Sequence, residues 1–125
     1  MEGVSAMTLT REEILAMEPG RLLDEAVGEH IFGFEITIVG NYYFTSPIDQ
    51  QLKRYSSDIS AAWEVMDKFR QNKDLVTLIG HKRGWECRIT AMVNVVYGVD
   101  VQDVSVESHS APEAICKAAL AALNL

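Results

Sequence analysis

Lys53, Arg54, Tyr55, Ser56, Ser57 and Asp58 run together ahead of an apolar-periodic segment that begins at Ile59. Two cations, a ring and two hydroxyls at a helix start are groups that hold an anion. The unpaired N–H groups and partial positive charge of the helix end attract a phosphate. Lys53 and Arg54 would add charge-assisted contacts, and Tyr55 a ring to stack on a base. The plain alternative uses the same residues: Ser57 or Asp58 caps the helix, Ser56 and Ser57 make turn hydrogen bonds, and Asp58 repels a phosphate. Two more residues complete the candidate ligand set. Strand alternation turns Tyr43 away from Tyr42 and Phe44, so at least one of these aromatics faces away from the core. Arg88 projects from the non-core face of its strand, either to clamp a phosphate or to sit in solvated ion pairs.

Catalytic chemistry is less visible. Nucleophilic catalysis needs a nucleophile, a base and an orienting group. His30, His81 and His109 sit in no such motif. Cys87 and Cys116 lie among apolar residues and read as buried free thiols, not a disulfide framework. No His/Cys/Asp/Glu spacing matches a metal site, and Gly80 and Gly84 only flank a turn. A non-enzymatic protein without a cofactor is expected.

Composition narrows the partners. The 125 residues are 48% hydrophobic and 23% charged, which suits one globular domain over residues 1–125. No apolar run approaches the roughly 18 residues of a membrane span, and "MEGVSAMTLTREE" lacks the basic and apolar regions of a signal peptide. The net charge is −7, yet residues 53–88 hold eight of the eleven Lys and Arg against five acids. An acidic shell argues against nucleic-acid binding, which needs many phosphate contacts. A basic middle leaves room for a small anionic ligand.

The elements that must position these residues follow from local signals. Thr10 and Glu13 form a capping box. A second helix is expected from Pro19 to about Gly33, with Leu23, Ala26 or Val27, and Ile31 inward. "FEITIVGNYYFT" alternates about a Gly40-Asn41 hairpin. Ile59, Ala62, Trp63, Met66 and Phe69 or Arg70 recur at helical spacing, placing Ile59, Trp63 and Met66 in the core. "LVTLIG" and "GWECRITAMV" form a hairpin, with Trp85, Cys87, Ile89, Ala91 and Val93 on one face. "VDVQDVSVES" adds a strand. Ser110 and Glu113 form a second capping box for the final helix. The result is an α+β domain, an antiparallel sheet flanked by helices in the order α-β-β-α-β-β-β-α. Residues 58–124 share the element order of a double-stranded-RNA-binding domain, but "SAPEAICK" lacks the lysines that fold uses.

Three segments, "TREEILAMEPGRLLDEAV", "RYSSDISAAWEV" and "SAPEAICKAAL", in this order resemble the phage ABA sandwich domain family, and "GWECRI" fits the pattern. Residues 34–52 show no match. The resemblance implies a sheet flanked by helices in a phage or prophage protein, and names no activity. By analogy with small phage counter-defence proteins, it implies a sponge: a homo-oligomer in the cytoplasm of the infected bacterial host that holds a nucleotide immune messenger, an ADP-ribose derivative or cyclic nucleotide, without cleaving it. A module that binds a host or phage protein is the alternative.

Overall fold

The computed structural model describes residues 9–47, 50–72, 74–95 and 98–123, with backbone alone for 92–95 and 98–100. Among these, α1 (Arg11–Ala16) and α2 (Arg21–His30) precede β1 (Glu35–Val39), β2 (Tyr42–Ser46) and a short β3 (Gln50–Gln51). Then come α3 (Ile59–Gln71), β4 (Leu75–His81), β5 (Gly84–Val95), β6 (Gly98–Ser108) and α4 (Ala111–Ala122). The fold is α+β. The strands form two antiparallel sheets, β1-β2-β3 and β4-β5-β6, where the sequence led us to expect one. Alternation shows which face of a strand is apolar; it does not show which strands share a sheet.

Local signals hold where the chemistry is local. Thr10 and Glu13 exchange both hydrogen bonds of the capping box. Val39 pairs with Tyr42 across Gly40, whose φ of +61° suits the tight hairpin. His81 pairs with Gly84 across Lys82 and Arg83. Asp58 caps α3 by accepting the Ser60 N–H at 2.9 Å. Ser110 caps α4, but the Glu113 carboxylate turns to Lys117 at 2.7 Å. Pro19 does not open α2: the helix begins at Arg21 after Gly20, so Pro19 lies in the preceding turn.

One core joins the helices to the larger sheet. Its centre is α4, which touches all three strands β4, β5 and β6 and the other three helices. Its alanines make this possible, because short side chains let neighbours approach from several sides. Cys87, Ile89, Val104 and Val106 face this helical side and are buried. The same close packing corrects the expected face of α3. Ala61, Ala62, Val65, Met66 and Phe69 are buried, while Ile59 and Trp63 are 47% and 49% exposed. A tryptophan does not fit where an alanine-lined helix approaches another; the smaller residues of α3 take that face. Trp85 also departs from the core: its ring lies over Gly80 at the sheet's end and stays partly exposed.

Candidate functional site

The stretch leading into α3 is stitched into the fold. Tyr55 is buried, and its ring stacks on Phe32 with centroids 5.2 Å apart. Burial pushes its phenol up to about 12, helped by Glu64, Asp24 and Cys116. Ser56 is fully buried; its N–H and hydroxyl both donate to Asp24 Oδ1, and its oxygen accepts the Gly20 N–H at 2.9 Å. Lys53 Nζ donates to both carboxylate oxygens of Glu64, at 2.7 and 2.8 Å. Asp58 is the helix cap. Of the six, only Arg54 and Ser57 are exposed with no side-chain hydrogen bond or ion pair among the described residues. They stand near a shallow depression of about 410 Å³ that Lys53 and Arg54 share with Asp58 and Glu64. Two carboxylates there offset the two cations.

Tyr43 and Arg88 go elsewhere. The Tyr43 carbonyl accepts the Leu52 N–H at 2.7 Å, which brings its backbone beside the stretch, but its ring sits under the Arg21 guanidinium at 4.6 Å. Arg88 lies on the face of the larger sheet turned away from the helices and donates to Glu86 at 3.1 Å. Glu86 also accepts from the Ser105 hydroxyl at 2.5 Å and meets His81 Nε2 at 3.3 Å. The Ser105 bond lowers its carboxyl most; burial opposes this, and His81 and Arg88 lower it further. A depressed carboxylate is a weak base, and the imidazole meets the carboxylate, not the hydroxyl. Glu86 thus ties three strands together.

A second cleft, which the sequence did not single out, lies where the β4–β5 turn meets the end of β6 and the start of α4. Its volume is about 310 Å³. Arg83, Trp85, His81 and His109 line it, with Glu107 and Glu113. Gly84 sets its floor. At φ +153° it lies against the Ser108 carbonyl, where a Cβ would collide. Arg83 has no ion pair or hydrogen bond among the described residues. Glu113 already holds Lys117, which also donates to the Leu15 carbonyl at 3.0 Å. Burial raises the Glu113 carboxyl, but bonds from Lys117 and Ser108 and the charges of Lys117 and His109 outweigh it, so the net shift is down. The available signal was "HKRGW": two consecutive cations at a tight turn beside a tryptophan.

Both cysteines are free and buried. Burial raises both thiols, Cys87 to about 12, so neither is a ready nucleophile. Among the described residues no group of three or more His, Cys, Asp or Glu could hold a metal, and no helix is long and apolar enough to cross a membrane.

The architecture defines a small α+β sandwich, with helices layered on antiparallel sheets. Residues 25–120 match the family model of the phage ABA sandwich domain, and the chain belongs to that family. The match runs through residues 34–52, where no resemblance was visible, and it begins inside α2, beyond the capping box of α1. No curated protein matches the chain, and no solved structure matches it.

Proposed function

We propose that the protein is a non-enzymatic binder that sequesters a nucleotide-type second messenger in the cytoplasm of the infected host and so blocks anti-phage signalling. The observation that carries this reading is the pairing of Arg83, without a partner among the described residues, with the exposed ring of Trp85 on one cleft. A guanidinium takes a phosphate bidentately, and an indole stacks on a base. His81 and His109 offer further donors, and Glu107 accepts from ribose hydroxyls or a base amine. The cleft volume lies at the small end of ligand sites, about 300–1,000 Å³. ADP-ribose derivatives and cyclic nucleotides combine the phosphate, ribose and base that these groups would contact. Titration calorimetry with these, and with inorganic phosphate for comparison, tests the reading. Saturable heat with a nucleotide supports it, and no heat with any of them overturns it.

A second reading, a protein-binding module, is favoured by a different observation. Ile38, Val39 and Tyr42 at the tip of the β1–β2 hairpin are all more than half exposed. RNA binding has less support, because Lys117 is buried and Glu113 stands in the first turn of α4.

A further inference from the structure

We infer that β1 is the self-association edge of this protein, where two copies join their small sheets into one across a two-fold axis. Tyr43, on β2, gives its carbonyl to Leu52. The residues of β2 that bond to β1 are therefore Tyr42, Phe44 and Ser46, whose partners are Val39, Thr37 and Glu35. By the same alternation, the N–H and C=O groups of Ile36 and Ile38 point out of the sheet. An exposed edge is a template for another strand unless charge, proline, a bulge or shortness blunts it.

Two of the other edges are blunted. β3 has two residues. β6 carries exposed Asp103 and Glu107. β4 runs against α3 and β1 against α2, whose Gly28 carbonyl accepts the Phe34 N–H just before the strand. From Ile36 to Val39, β1 carries no charge and no proline and keeps an unbroken register with β2.

The strand is also complementary to itself. Antiparallel pairing centred on Thr37 sets Ile36 against Ile38 of the second copy, so the outward backbone groups of both copies meet as hydrogen-bonding pairs. Glu35 then faces the second copy's Val39, which keeps the two like charges apart. The same pairing covers the exposed flanks of Ile38 and Val39. It is independent of the nucleotide reading.

Sedimentation or light scattering of the full chain tests this with two variants. In Ile38→Pro the lost N–H is one that points outward, so the β1–β2 ladder is kept. In Thr37→Lys two ammonium groups face each other at the two-fold axis. The expected result is a wild-type mass twice that of the chain and a two-fold fall to the single-chain mass in both variants, with unchanged circular dichroism. A wild type that stays single at high concentration overturns the proposal, as does a folded Thr37→Lys variant that remains double.

Discussion

The Ser56 hydroxyl lies 2.7 Å from Asp24 Oδ1, and the same oxygen accepts the Ser56 N–H at 2.8 Å. This pair joins the first turn of α2 to the turn before α3, across a sequence separation of 32. Asp24→Ala leaves a buried N–H and hydroxyl unsatisfied, so a loss of about 2 kcal/mol or more is expected in chemical denaturation. Asp24→Asn keeps an acceptor and is expected within about 1 kcal/mol of wild type.

The same variants fix a pH dependence. Burial raises the Asp24 carboxyl, with bonds from Ser56 and the charges of Arg21 and Arg54 opposing. The folded state thus binds this proton more tightly than the unfolded chain. Its stabilising contribution is full below the ordinary value of 3.8 and is lost as pH rises through the folded value. The stability of Asp24→Asn relative to wild type should therefore improve as pH rises through this window; a flat difference would refute the assignment.

Glu113 has the opposite sign. Its folded carboxyl is depressed, so its contribution is present above the ordinary value of 4.5 and lost as pH falls through the folded value. Lys117→Met strands the mostly buried Glu113 carboxylate and frees the Leu15 carbonyl. A loss of about 3 kcal/mol near neutrality is expected, largely restored by adding Glu113→Gln. Denaturation of the single and double variants measures the coupling.

How much of this was legible depends on range. Caps and hairpin turns use neighbouring residues, so Thr10, Asp58, Ser110 and Gly40 could be read directly. Tyr55 could not: a polar run around it reads as surface, yet Phe32 takes its ring. The Asp24–Ser56 and Lys117–Leu15 contacts join distant segments and leave no periodic trace. On α3, hydrophobicity favoured Trp63 inward, whereas the close approach of α4 favoured Ala62 and Val65. The cleft depends on the register that brings Gly84 to Ser108, which no local pattern encodes.

That register gives a further test. Gly84→Ala drives a Cβ into the Ser108 carbonyl in a conformation that L residues rarely adopt, and should cost about 2–3 kcal/mol. Gly33→Ala also has positive φ, +72°, but meets nothing within 4 Å, so about 1 kcal/mol is expected. Thermal or chemical melts distinguish the two.

Ligand affinity separates the two candidate sites. Arg83→Ala should weaken nucleotide binding about ten-fold or more, and Trp85→Ala by about the 1–3 kcal/mol of one stacked base. Lys53→Ala should change it by less than about two-fold, since Glu64 already holds that ammonium. Calorimetry on the three variants, with melts to confirm folding, reads the order. A dominant Lys53 effect would move the site back to the depression before α3.

The most direct measurement is depletion and return. The protein is incubated with an ADP-ribose derivative or a cyclic nucleotide, free ligand is quantified, and the complex is heat-denatured. Wild type should remove the ligand from solution and release it chemically unchanged, and Arg83→Ala should remove far less. A ligand that returns cleaved, or is never removed at all, contradicts sequestration.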